Sequence, residues 1–158
     1  MTFLYRTSHF PGTGCQNARV QSDEVQVLLI EDDSALAQMY QIKLERDGYT
    51  VRVAGDGEAA QRLIDEEMPD LIFLDIRLPK MDGLVFLERL RGVERTRNIP
   101  VVIVSNYSEQ ELVNRGIQLG ALEYLVKSQT TPGRLSEGVP EWSRPYFYPD
   151  QTEDNGNN

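Results

Sequence analysis

Five short apolar runs recur along the chain with longer amphipathic stretches between them: VQVLLI (25–30), TVRVA (50–54), DLIFLD (70–75), PVVIVS (100–105) and EYLV (123–126). Runs of this length, apolar at consecutive positions, have the character of strands buried on both faces. The stretches between them place apolar residues at helical spacing. SALAQMYQIKLERDG (34–48) does so with Leu36, Tyr40 and Leu44 and stops at Gly48; EAAQRLIDEE (58–67) does so with Ala59, Ala60, Leu63 and Ile64. LVFLERLR (84–91) is a third helix, and a fourth follows Ser105, opening on Ser108 and Glu111 at capping-box spacing and burying Leu112, Val113 and Ile117. This alternation predicts an α/β fold: a doubly wound five-stranded parallel sheet with helices on both faces, joined by right-handed crossovers. In such a sheet, ligands gather beyond the C-terminal ends of the strands.

The last unit departs from the pattern. Thr131 is placed as an N-cap, Pro132 in the first turn, and Leu135 and Val139 face the core, but Gly133, Gly138 and Pro140 weaken and end the helix. A short or broken last helix is therefore expected, with the domain spanning 24–139. Residues 1–23 show no sustained period and read as a flexible N-terminal extension; 140–158 read as a C-terminal tail with no output domain. Trp142, Tyr146, Phe147 and Tyr148 in that tail are expected to fold back onto the core.

Composition narrows the function. A formal net charge of −9 argues against direct nucleic-acid binding, which needs a basic face. Arg89, Arg91, Arg95 and Arg97, interleaved with Glu88 and Glu94, read as a solvated helix end and loop. Cys15 and His9 are the only residues of their types, so one chain builds no disulfide, no Cys/His zinc site and no histidine acid/base chemistry. With no apolar run of membrane-spanning length and no signal-peptide pattern, no membrane insertion and a cytoplasmic location are expected.

The strand ends carry the chemistry. Glu31, Asp32 and Asp33 follow the first strand, Asp75 ends the third, Ser105 the fourth, and Lys127 follows the fifth. Asp33, just before SALAQ, is accounted for as an N-cap. Asp75 is not explained as a turn residue, because IRLP continues the apolar run beyond it. Two carboxylates about 4 Å apart repel by roughly 4 kcal/mol at an effective dielectric near 20, so a cluster must shift its pKa values or bind a cation. An all-oxygen set suits Mg²⁺, and Lys127 adds the compact positive charge that a phosphoryl group needs.

LLIEDD, LIFLDIRLPKMDG, VVIVS and EYLVK, in this order across residues 24–135, resemble the receiver domain of bacterial two-component response regulators. The resemblance implies the flavodoxin-like receiver fold, with Asp75 as phosphoacceptor and Mg²⁺ held by Asp32, Asp75 and the main-chain carbonyl of Arg77. Glu31 looks like the second acid of the metal pair, acting through water. Ser105 resembles the family's switch hydroxyl, Tyr124 its switch aromatic and Lys127 its lysine. A single-domain phosphoacceptor of this kind takes its phosphoryl group from a sensor histidine kinase or histidine phosphotransfer protein, or from a small acyl phosphate. It signals through protein–protein contacts with a downstream target, and a homodimer is a further option. It is regulatory rather than an enzyme, although it takes part in its own phosphorylation and dephosphorylation.

Three departures matter: Ser128 stands where the family commonly has proline, so a trans bond is expected there, and Asn106 and Arg77 are placed to gate the pocket. The competing reading is a pseudo-receiver, a binding module that is not phosphorylated. A haloacid-dehalogenase enzyme lacks its second acid, since that position is Arg77, and a flavodoxin-type phosphate cradle would be repelled by Glu31, Asp32 and Asp33.

Overall fold

A computed structural model describes residues 24–144; the expectations for 1–23 and for Tyr146, Phe147 and Tyr148 lie outside the described residues. The elements alternate as β1 (Gln26–Ile30), α1 (Ser34–Arg46), β2 (Thr50–Ala54), α2 (Gly57–Glu66), β3 (Leu71–Leu74), α3 (Gly83–Gly92), β4 (Val101–Ser105), α4 (Gln110–Gln118), β5 (Glu123–Val126), a 3₁₀ turn (Lys127–Gln129) and α5 (Pro132–Trp142). All neighbouring strands are parallel, in the order β2-β1-β3-β4-β5. This is the doubly wound sheet that the apolar runs predict.

The two-residue period of a strand divides the core in two. Leu28, Ile30, Ile72, Leu74 and Ile103 face one side with Ala60 and Ile64 of α2 and Leu84, Leu87 and Leu90 of α3. Val27, Leu29, Leu71, Phe73 and Val104 face the other with Ala37, Tyr40 and Leu44 of α1 and Leu135 and Val139 of α5. Each such side chain, fully removed from water, stabilises the fold by roughly 1.5–3 kcal/mol. β1 lies between β2 and β3, so the winding direction reverses there, and the crevice at the C-terminal ends of β1 and β3 is the topological switch point.

Side-chain caps start four of the helices. Asp33 accepts from the amides of Ala35 and Leu36, Asp56 from Ala59, Asp82 from Leu84, and Thr131 from Arg134. The fourth helix corrects the expectation drawn from Ser108 and Glu111. α4 starts at Gln110 with Glu109 at its N-cap and no side-chain cap bond. Its buried residue is Gly116, and Ile117 is 46% exposed. A Cβ at Gly116 would stand 2.5 Å from the Ile103 Cδ1 atom, so α4 lies too close to the sheet for a larger residue on that line.

The last helix also differs from expectation. It runs unbroken over 11 residues, three past the boundary at 139, with Pro140 inside it. Pro140 removes one backbone hydrogen bond, but Leu135, Val139 and Trp142 are all buried against the sheet and hold the helix together. Gly138 serves as a slot: a Cβ there would stand 2.3 Å from Cη2 of Trp142. Trp142 packs edge-on against Phe73, with ring centroids 5.8 Å apart, and its indole N–H donates to Glu123 over 2.9 Å. Trp142 thus reaches the core from the helix itself. The Lys127–Ser128 bond is trans.

Candidate functional site

The sheet hydrogen bonds continue one residue past the strands at the switch point. Glu31 N–H donates to the Ala54 carbonyl over 2.9 Å, and Asp75 N–H to the Ile30 carbonyl over 3.1 Å. These bonds fix both acids on adjacent strand ends. Lys127, just beyond β5, extends across the sheet end and places Nζ 2.6 Å from Glu31 Oε1 and 2.8 Å from Asp75 Oδ2. The three side chains are only 8%, 3% and 6% exposed for Lys127, Glu31 and Asp75. Asp32 is exposed and closes the group: one carboxylate oxygen from each of Glu31, Asp32 and Asp75 lies within 4.8 Å of the others. Asp33 turns away and caps α1, although its amide donates to Glu31 Oε2 over 3.1 Å.

One lysine serves two buried carboxylates, and the balance is uneven. Burial opposes the charge on Lys127, but its hydrogen bonds to Asp75 and Glu31 outweigh this and raise its pKa. Burial also raises the pKa of Glu31, against the lowering by Lys127 and the Asp33 amide, and the nearby Asp75 charge adds to the rise. A simple ion pair would lower the acid as it raises the base. Here the ammonium is shared, so Glu31 is left under-compensated. Three carboxylates facing one ammonium form a hard, all-oxygen donor set that can hold a divalent cation.

Ser105 and Tyr124 meet at a different point. Ser105 is fully buried, and its Oγ accepts from the Tyr107 amide over 3.1 Å. The Tyr124 hydroxyl donates to the Tyr107 carbonyl over 2.5 Å, and burial raises its pKa. The Arg77 amide donates to Asp75 Oδ1 over 3.3 Å, and its guanidinium lies over the Tyr107 ring, 4.6 Å from the centroid.

Two positions escape a reading of the sequence. Tyr107 sits in a loop with no periodic signal, yet its amide, carbonyl and ring are each engaged. Gly83 reads only as a turn residue, but a Cβ there would stand 2.2 Å from the Asp75 carbonyl oxygen. Only glycine lets the start of α3 approach this strand end. The most spacious cavity among the described residues, about 470 Å³, lies at the opposite end of the strands. There Arg91 donates to the carbonyls of Leu119, Arg97, Ile99 and Gly120, which makes it a structural brace and not a site.

Fold and pocket together define a class: a doubly wound parallel domain with an acid cluster and a lysine at its switch point. A family model for the response regulator receiver domain matches residues 27–139, and the chain belongs to that family of two-component signalling domains. The DNA-binding dual master transcriptional regulator RpaA of Synechocystis is 42% identical over 101 residues, covering 64% of this chain and 42% of that protein. The chain thus spans less than half the length of this relative. Among solved structures, the receiver domain of Francisella response regulator 1452 superposes with a TM-score of 0.70 at 32% identity, over 76% of this chain and 97% of that one. The receiver domain of sensor histidine kinase PA1611 from Pseudomonas aeruginosa, with a magnesium ion coordinated in its active-site cleft, gives 0.68 at 27% identity, over 76% and 98%. No helix among the described residues is long and apolar enough to cross a membrane.

Proposed function

We propose that Asp75 accepts a phosphoryl group from the phosphohistidine of a sensor histidine kinase or a histidine phosphotransfer protein, and that the modified domain signals through contacts with a downstream protein. The observation that carries this reading is the buried Lys127 ammonium bonded to Asp75 Oδ2 beside Glu31, with Asp32 completing the acid group. An Asp75 carboxylate oxygen attacks phosphorus in line. The P–N bond breaks, and its electron pair returns to the imidazole nitrogen. Lys127, held protonated, compensates charge on the transferred oxygens. Asp32, Asp75 and the Arg77 main-chain carbonyl, with Glu31 acting through water, would hold Mg²⁺, which when bound neutralises phosphoryl charge.

The signal leaves through Ser105. Its hydroxyl, now accepting from the Tyr107 amide, is the group to donate to a phosphoryl oxygen, and this alters the loop that Tyr124 anchors. Such a domain is a regulatory phosphoacceptor, acting in the cytoplasm without direct nucleic-acid contact and with homodimerisation as an option. Intact mass after incubation with Mg²⁺ and acetyl phosphate should show a single phosphoryl addition, absent in Asp75→Asn. If neither acetyl phosphate nor a panel of kinases modifies the wild type, the domain is a pseudo-receiver.

A further inference from the structure

Two loops flank the C-terminal end of β3. The loop after β3 carries Arg77, and the loop after the neighbouring β4 carries Tyr107. Their main chains touch the pocket from two sides, through the Arg77 amide on Asp75 and the Tyr107 amide on Ser105. Their side chains meet, with the guanidinium stacked on the ring. The Tyr124 hydroxyl, fixed on the Tyr107 carbonyl, holds the ring's main chain in place. The pocket's other side is sealed by the buried Glu31–Lys127 pair.

Resting on the proposed phosphorylation of Asp75, we infer that Arg77 and Tyr107 form a cover over the acceptor that limits the access of water and so sets how long the phosphoryl group persists. Hydrolysis of an aspartyl phosphate needs a water molecule in line with the P–O bond to Asp75. The water oxygen bonds to phosphorus, the P–O bond breaks, its electron pair restores the carboxylate, and the water proton leaves with the phosphate. A stacked guanidinium and ring bridging the two loops occlude approach to that position. The arrangement also keeps a cation beside a pocket where three acids face one lysine, and phosphorylation makes that pocket still more negative. Arg77 and Tyr107 are thus positioning residues, outside the group-transfer machinery itself.

The test is the half-life of phosphorylated protein after removal of acetyl phosphate, followed by intact mass. Arg77→Ala and Tyr107→Leu should each lose the phosphoryl group about two- to fivefold faster than wild type, the range expected from one partly exposed cation–π contact. Tyr107→Phe, which keeps the ring, should behave as wild type, and the double variant should be no faster than the faster single one, because the pair acts as a unit. Thermal midpoints measured alongside separate the cover from a general loss of structure. Phosphorylation with unchanged half-lives, or equal acceleration in Tyr107→Phe, overturns the cover alone. Absence of phosphorylation in the wild type removes the reading of Asp75 on which it rests.

Discussion

At the scale of single residues, the unusual feature is an ammonium shared by two acids at the edge of the core. Removing Lys127 as Lys127→Met leaves Glu31 and Asp75 buried without their cation, and breaking a buried pair in this way costs about 3–5 kcal/mol. The loss should depend on pH, with a sign fixed by Glu31. Its pKa is already raised by burial above the ordinary 4.5, so the folded protein binds that proton more tightly than the unfolded chain. Stability from this group is full below 4.5 and is lost as pH rises through the folded value. Without Lys127 the rise is larger, so the variant should recover part of its deficit between about pH 7 and about pH 5. In the wild type, the Lys127 contribution is present below 10.5 and is lost only as pH rises through the higher folded value. Urea titrations at the two acidic-to-neutral conditions check this, and a deficit equal at both would refute it. The acids and lysine were legible in the sequence because they sit at strand ends, which topology forces together. The stacking of Arg77 on Tyr107 was not, because it depends on the path of two aperiodic loops.

At the scale of elements, local rules succeeded wherever burial agreed with them and failed where packing overrode them. The strands follow from their apolar runs, and Asp33 caps α1 as its position before SALAQ suggests. In α4 the sequence offers Ile117 as a core residue, but the sheet requires Gly116, because close approach selects for the absence of a side chain. In α5 the glycine read as a helix breaker is a seat for Trp142. Two effects therefore oppose each other in Gly138→Ala. Helix propensity favours alanine by about 1 kcal/mol, whereas forcing a methyl group into a filled site costs about 1–3 kcal/mol. The indole is rigid, buried to 5% exposure and wedged against Phe73, so it cannot yield cheaply and the steric effect should win. The urea midpoint should fall and the emission of Trp142, the only tryptophan in the sequence, should shift red as the ring loses its seat. A raised midpoint would show that propensity dominates.

At the scale of the whole molecule, the acid pocket is a charge imbalance within an already acidic chain of net charge −9. The parallel topology sets Glu31, Asp32 and Asp75 within one ligand shell, and Lys127 offsets only part of their repulsion. Folding therefore works against a local repulsion that the unfolded chain, with these residues apart, does not feel. A divalent cation that binds the folded trio alone should stabilise the protein by mass action, by about 2.7 kcal/mol at a concentration 100-fold above its Kd. The thermal midpoint should rise with added Mg²⁺ and return on chelation. General screening of an acidic protein also raises stability, so sodium chloride at matched ionic strength is the necessary comparison. Asp32→Asn separates the two effects: Asp32 is exposed, so its loss leaves the core intact while removing one ligand oxygen's charge. A rise reproduced by sodium chloride, or retained in full by Asp32→Asn, would mean that the acids meet without forming a metal site. A rise specific to Mg²⁺ and diminished in that variant would tie the fold's stability to the ion that its switch point is built to hold.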